Sequence, residues 1–311
     1  RRSFRSASPT ARPARGNIAI TACSSVMGVI IPPSILMVVW GGVMQISVGA
    51  LFLAGAIPGL LIGFALMATV YGYAKKYDYP VTLRPTFGQF WSAFKGAALA
   101  MLTPVLVIGG IVGGIVTPTE SAIIAAGYAL ILGVFVYRTV SVRDLGGIFY
   151  DTGRFASISL FAIGTASAFG WMLAFYNVPR LIVDVLTAHE LGVIGTSLII
   201  AALFLFFGLF IDAIPTIIIL GTVLLPVARA AGIDPVAFAI IGIISLAFGL
   251  VTPPYGLCLL ISASIGGMNV VKVLRDVCII LAPMLVILLL VILFPQIALW
   301  LPRTLMPMSF Q

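Results

Sequence analysis

The chain alternates long apolar runs with short polar gaps, and the runs are too long and too uniformly apolar for the amphipathic elements of a soluble fold. In order they are Ile18–Ser47, interrupted by Pro32-Pro33, then Ala50–Tyr73, Gly96–Ile115, Ser121–Tyr137, Phe155–Tyr176, Gly192–Ile211, Ile217–Ala228, Val236–Leu250, Leu257–Ile265 and Val277–Phe294. A helix needs about 20 apolar residues to cross the hydrocarbon of a bilayer. The longer runs meet that length. The shorter ones cannot span alone and predict helices broken in mid-membrane or re-entrant hairpins. Gln89–Lys95 and Val142–Phe155 mix apolar and polar residues at helical spacing, which predicts short connector helices lying along the interface. The pattern as a whole predicts an all-α polytopic membrane protein.

Composition strengthens that reading. Of 311 residues 61% are apolar and only 8% charged, against roughly 25% charged in a soluble domain. The net charge of +8 comes from 17 Lys and Arg against 9 Asp and Glu, and its placement speaks for topology. Arg1, Arg2, Arg5, Arg12 and Arg15 crowd the start, while Lys75, Lys76, Arg84 and Lys95 share one gap and Arg138, Arg143 and Arg154 another. Two apolar runs separate those gaps, so both fall on one face, the cytoplasmic one by the positive-inside rule. Asn177–Leu191 then lies outside, Lys272 and Arg275 mark the inside again, and Arg229 does not decide its own side. The aromatic residues sit within the apolar runs, leaving no basic and aromatic surface for nucleic acid. With Cys23, Cys258 and Cys278 inside apolar stretches and His189 the single histidine, the roughly four ligands of a structural zinc site are lacking. The cysteines read as small buried apolar residues.

An internal repeat carries the most information. The 221-residue offset that takes Gly28 onto Gly249 also takes Ser24, Pro32, Pro33 and Leu36 onto Ser245, Pro253, Pro254 and Leu257. A double proline thus interrupts an apolar run twice, in register. Paired Gly/Pro interruptions of this kind point to a secondary transporter with its site at the repeat interface.

Proline removes a backbone N–H, clashes with the preceding turn and drives the residue before it out of helical geometry. Freed carbonyls in hydrocarbon cost several kcal/mol each unless a new partner arrives. A dehydrated cation such as Na⁺ is one such partner, and the hydroxyls of Ser24, Ser25, Ser34 and Thr252 stand beside the breaks. The half-helix N-termini beyond Pro33 and Pro254 present positive dipole ends suited to a substrate carboxylate.

Two further interruptions carry acids. Gly208–Thr216 places Asp212 between apolar runs, and an intramembrane Asp is a functional candidate by default. It reads as the tip of a re-entrant hairpin with Asp212 and Thr216 close to Gly249–Gly256, or as a simple helix cap for Ile217–Ala228. In Thr117-Pro118-Thr119-Glu120 the acid fits the first turn of a helix, with a coupling role as the alternative. His189 beside Glu190 reads as a solvated loop, which disfavours an intramembrane serine hydrolase.

Four motifs at consistent spacing, Ser24-Ser25-x-x-Gly28-x-x-Ile31-Pro32-Pro33-Ser34, Thr117-Pro118-Thr119-Glu120-Ser121-Ala122, Gly232-Ile233-Asp234-Pro235 and Gly249-Leu250-Val251-Thr252-Pro253-Pro254-x-Gly256-Leu257, resemble the large membrane subunit of tripartite ATP-independent periplasmic (TRAP) transporters over about residues 16–305. The resemblance implies an elevator-type secondary importer with inverted repeats, coupled to sodium ions and without an organic cofactor or enzymatic activity. Its substrates would be organic acids such as C4-dicarboxylates or sialic acid. Its partners would be a periplasmic substrate-binding protein and a small integral-membrane subunit, in the bacterial inner membrane. One sodium site would draw on Ser24, Ser25 and Gly28, and a second on Gly208, Gly249, Thr252 and Tyr255 with Asp212 nearby. The substrate would meet Ser34, Pro33, Thr216, Pro254 and Gly256.

The same resemblance implies a division into 1–16, an Arg-rich start outside the family pattern and expected to be disordered; 17–47, the first broken helix; 48–112, scaffold helices and a cytoplasmic connector; 113–191, the start of the second repeat with scaffold and arm helices; 192–276, hairpin and second broken helix; and 277–311, a C-terminal scaffold helix. The first-half counterpart of Gly208–Thr216 would fall before residue 1, which leads to the expectation of an N-terminally truncated member. A non-transporting remnant of such a subunit is the alternative.

Overall fold

The structure, a computed structural model, describes residues 11–76, 85–188, 191–254 and 256–307. Every regular element among them is helical. The chain opens with α1 (Ala11–Ser25), α2 (Met27–Ile30), α3 (Ile35–Met44) and α4 (Val48–Lys76). It continues through α5 (Phe87–Val112), α6 (Pro118–Ile131, extended by a π-helical turn), α7 (Leu145–Phe175), α8 (Val178–Ala188), α9 (Gly192–Gly208), α10 (Ala213–Thr216) and α11 (Thr222–Ala230). It closes with α12 (Pro235–Gly249), α13 (Leu257–Ile265), α14 (Val270–Leu293) and α15 (Gln296–Leu305).

Among the described residues six helical stretches are long and apolar enough to cross a bilayer: Val48–Lys76, Phe87–Val112, Pro118–Val136, Val142–Phe175, Ala213–Ala230 and Val270–Leu293. The pair Arg15–Ile30 and Ile35–Met44, bent by 40°, passes the same test as one broken span. The protein is an all-α polytopic membrane protein. The 221-residue offset extends beyond the motif, because it carries α1 and α2 onto α12, α3 onto α13 and α4 onto α14.

The core is built by those repeated elements. α12 is buried from Val236 to Gly249 without interruption, and it packs most extensively on α9. Trp40 of α3 inserts between Phe204 of α9 and Phe238 of α12, with ring centroids 5.4 Å away in each case. Gly242 makes room for it, since a Cβ there would stand 2.3 Å from the indole. In the most apolar window of α4, 56% of residues are buried, against 6% for α5. α5, α6 and α7 therefore lie at the periphery with large apolar side chains outward, as lipid-facing helices do.

Both ends of α4 can be assigned a side. The Tyr73 hydroxyl donates to the Asp276 carboxylate, which brings Lys75 and Lys76 to the same face as Lys272 and Arg275. At the far end, Gln45 and Arg229 line one cavity of about 620 Å³. A neighbouring cavity shares Pro226 with it and is lined by Asn177 and Arg180. Arg229, undecided from sequence, thus lies on the face of the Asn177–Leu191 segment, opposite the lysines.

Two expectations are corrected. Gln89–Lys95 is the first part of the continuous helix α5, started by Thr86 and Gln89 in a reciprocal cap, because the Gly96 that follows costs only about 1 kcal/mol against Ala, too little to end a helix that continues into an apolar run. Val142–Phe155 likewise runs from a short 3-10 turn into α7. The Asn177–Leu191 gap contains helix α8, with Val178, Leu181, Ile182 and Val185 at helical spacing. In addition α1 begins at Ala11, so 11–16, expected to be disordered, are helical, with Pro13 in the first turn where its missing N–H is harmless. Cys23 is buried as expected, but Cys278 is exposed on α14.

Candidate functional site

Each double proline removes the two N–H donors that the helix would have aimed at the residues four positions earlier. In the first repeat those acceptors are Gly28 and Val29, and in the second Gly249 and Leu250. Both Pro32-Pro33 and Pro253-Pro254 are cis, and the chain resumes as α3 and α13.

The repeats satisfy the second orphaned carbonyl in related ways. In the second repeat the N–H of Cys258 donates straight across the break to the Leu250 carbonyl at 3.0 Å. The equivalent pair in the first repeat is Met37 and Val29, and there the Ser34 hydroxyl stands between them. It donates to the Val29 carbonyl and accepts from the Met37 N–H at 3.5 Å, buried to 1% exposure. Ser34 therefore caps α3 and bridges the break at once. At the first carbonyl of the second repeat, the N–H of Thr252 donates to Gly249 at 3.1 Å, and the Thr252 hydroxyl donates back to the Phe248 carbonyl at 2.8 Å.

The two broken helices pack reciprocally. α1 lies on α13, while α3 lies on α12, so the first half of each touches the second half of the other, as a pseudo-two-fold relation requires. Gly55 and Gly59 of α4 let the first break approach, since a Cβ on Gly55 would stand 3.0 Å from the Ile30 carbonyl and one on Gly59 2.8 Å from Ile31.

Of the residues expected at the second cation site, the structure brings Gly208 and Gly249 into direct backbone contact. A Cβ on Gly249 would fall 2.7 to 2.9 Å from the Gly208 backbone. Asp212 is exposed, at the cap position of α10, but its carboxylate makes no capping bond. Its carbonyl accepts from the buried Thr216 hydroxyl at 2.8 Å. The chain turns back after Asp212, and α11 again touches α9, which makes α9–α11 a hairpin. Gly256 is buried with φ of +23°, and Pro254 and Pro33 are exposed. Tyr255 lies outside the described residues, as do His189 and Glu190.

At the first site Ser24 and Ser25 are exposed, their hydroxyls donating to the carbonyls of Thr21 at 3.1 Å and Ala22 at 2.7 Å. Gly28 is exposed too, and a Cβ on it would meet nothing within 4 Å. Glu120 forms the capping box its spacing predicts: its carboxylate accepts from the Thr117 N–H at 2.8 Å and hydroxyl at 2.9 Å, while the Thr117 hydroxyl accepts from the Glu120 N–H. Sequence reasoning missed Trp40 as the plug between α9 and α12; its i−3 and i+4 apolar neighbours on α3 gave no sign of which helix it would meet. Among the described residues no group of three or more His, Cys, Asp or Glu could hold a metal ion.

A membrane bundle with two helices broken in register at double prolines and packed reciprocally has the architecture of a secondary transporter permease. The comparisons agree. Residues 10–297 match the model of the tripartite ATP-independent periplasmic transporter, DctM component. The chain belongs to that family. It is 39% identical over 288 residues to the sialic acid TRAP transporter permease protein SiaT of Haemophilus influenzae, covering 93% of this chain and 47% of that protein. The sialic acid TRAP transporter large permease protein SiaM of Vibrio cholerae is 37% identical, with 91% of this chain and 66% of the relative covered. For the C4-dicarboxylate TRAP transporter large permease protein DctM of Pseudomonas aeruginosa the identity is 33%, with the same two shares of 91% and 66%. The chain spans about half to two-thirds of the length of these relatives.

Proposed function

We propose that this chain is the large permease subunit of a sodium-coupled importer of organic acids, set in the bacterial inner membrane. A periplasmic binding protein hands over the substrate, and a small membrane subunit completes the complex. The observation that carries this reading is the pair of proline breaks at the meeting of two repeats, in a chain of the TRAP large-permease family. Relatives whose names specify sialic acid and C4-dicarboxylates point to a carboxylate substrate.

Sodium suits the oxygen donors gathered at the breaks, where unwound carbonyls and half-helix ends hold coupling ions in broken-helix transporters. The second site draws on Gly208, Gly249, Thr252 and Tyr255, with Asp212 supplying negative charge nearby. The first draws on Ser24, Ser25 and Gly28. The N-terminal turns of α3 and α13, following Pro33-Ser34 and Pro254-Gly256, present dipole ends to the substrate carboxylate, with Thr216 as a further donor. Ion binding at the breaks couples to transport when the repeats move as a unit against α4 and the peripheral helices, the elevator motion.

The experiment is uptake into proteoliposomes containing this chain with its small subunit and binding protein. An inward sodium gradient should drive accumulation of the organic acid, and collapsing that gradient should abolish it. Accumulation that survives the collapse would overturn sodium coupling, and His189→Ala should leave uptake unchanged.

A further inference from the structure

The hydrogen bond between Tyr73 and Asp276 fixes where α4 and α14 meet at the cytoplasmic face. α4 is apolar up to Tyr73 and α14 is apolar from Val277 onward, so this bond marks the edge of the hydrocarbon. Residues three and four apart share a helix face. Lys76 therefore lies one turn beyond Tyr73, and Lys272 one turn before Asp276, on the facing sides of the two helices, with Lys75 and Arg275 beside them. One turn is about 5 Å of rise. That carries the four cations into the headgroup layer, itself about 5–7 Å deep on each side of the bilayer.

Acidic residues do not balance this charge within the two helices. α4 contains no acid, α14 contains only Asp276, and that carboxylate is engaged by Tyr73. Lys75, Lys272 and Arg275 have no carboxylate partner among the described residues, and all four cations are exposed. Lys75 and Lys76 suit the negative end of the α4 dipole. Lys272 and Arg275 do the reverse, since they add to the positive end of α14, whose first turn holds no acid. The crossing thus presents a concentrated positive field with an apolar margin, because Tyr71, one turn above Lys75, and Val271, beside Lys272, are both exposed.

We propose that the cytoplasmic end of the α4–α14 crossing binds the phosphate of an anionic phospholipid in the cytoplasmic leaflet. Basic clusters between membrane helices on that side of the bilayer accept such headgroups. The phosphate sits among Lys75, Lys76, Lys272 and Arg275, and the acyl chains run past the exposed Tyr71 toward the hydrocarbon. Depth and margin both select a lipid over a soluble anion. The cations stand at the level of lipid phosphates, and a free phosphate gains nothing from an apolar edge. Bound there, the lipid bridges α4 to α14, the two helices that the 221-residue offset superposes, and reinforces the bond between Tyr73 and Asp276.

The test uses the full chain in phosphatidylcholine vesicles containing a minor share of phosphatidylglycerol. Cys258 and Cys278 are changed to Ala, the buried Cys23 is left in place, and a bimane fluorophore is attached at Val271→Cys. A nitroxide quencher high on the acyl chain is carried by phosphatidylglycerol in one sample and by phosphatidylcholine in the other. Phosphatidylglycerol should be enriched at the fluorophore at least about tenfold, and each single Gln replacement of a cation should cut that preference about fivefold, the factor for one Lys or Arg near a membrane surface. Lys75→Gln, Lys272→Gln and Arg275→Gln together should abolish it, whereas Lys75→Arg with Lys272→Arg should keep it. The same fluorophore at Val142→Cys, an exposed position beside Arg143 on the same face, should show no such preference. Equal quenching by the two lipids at Val271, an equal preference at Val142, survival of the preference in the triple Gln variant or its loss in the Arg variant would each overturn the proposal. So would its removal by inorganic phosphate at matched ionic strength, because the ligand would then be a soluble anion. The measurement needs neither sodium nor substrate, so it stands or falls independently of sodium-driven uptake.

Discussion

The two proline breaks share a sequence pattern, a backbone course and a pair of cis peptides, yet one is enclosed and the other open. Gly249 is pressed against the backbone of Gly208, while its counterpart Gly28 has empty space around it. Ser245 is buried and Ser24 exposed. Trp40 is fully buried between α9 and α12, while its counterpart Ile261 is 51% exposed. The local geometry of a break is thus dictated by the prolines and their neighbours, whereas its surroundings depend on which helix lies alongside. For an ion site the second factor matters as much as the first, since a carbonyl open to water holds a cation weakly and one in a dry enclosure holds it strongly.

The sharpest way to break the comparison is at Trp40. Trp40→Ala should cost about 3–5 kcal/mol, as expected for emptying a large buried aromatic site. Ile261→Ala should stay within about 0.5 kcal/mol, as exposed positions do. Trp40→Phe should recover most of the loss, because the indole N–H has no partner among the described residues and only the ring packs. Denaturant unfolding in detergent, followed by near-UV dichroism, measures all three.

Next come the glycines. Gly249→Ala drives a methyl group into the Gly208 backbone and should destabilise by about 1–3 kcal/mol, the range for overpacking. Gly28→Ala should be neutral or stabilising by up to about 1 kcal/mol, the helix-propensity difference. Equal losses at the two positions would mean that the contrast between open and enclosed breaks is wrong.

A related effect separates the bridges. Ser34→Ala strands the Val29 carbonyl and the Met37 N–H in a buried place and should cost about 1–3 kcal/mol. Cys258→Ala leaves the equivalent backbone bond to Leu250 intact and should change stability by less than about 0.5 kcal/mol.

The breaks, their register and the capping box at Thr117 and Glu120 were legible because they depend on residues a few positions apart. The class of fold was legible from apolar run length alone. What escaped was set by distant contacts or by continuity. Nothing within α3 announces that Trp40 meets Phe204 and Phe238, nor within α12 that Gly249 meets Gly208. Gln89–Lys95 and Val142–Phe155 look like separate amphipathic helices because their polar residues, and not a helix end, set them apart from the apolar runs they continue into. From sequence Ser34 reads as facing substrate or ion, whereas in the structure its hydroxyl is engaged on both sides.

The most direct test of the account is the effect of sodium on the stability of the chain itself. If the enclosed second break is a cation site, sodium in place of potassium should raise the unfolding midpoint, by an amount equivalent to about 2.7 kcal/mol at one hundred times the dissociation constant. Thr252→Ala should remove most of that gain and Ser24→Ala, at the open break, little of it. Identical midpoints in sodium and potassium, or a larger loss from Ser24→Ala than from Thr252→Ala, would contradict it.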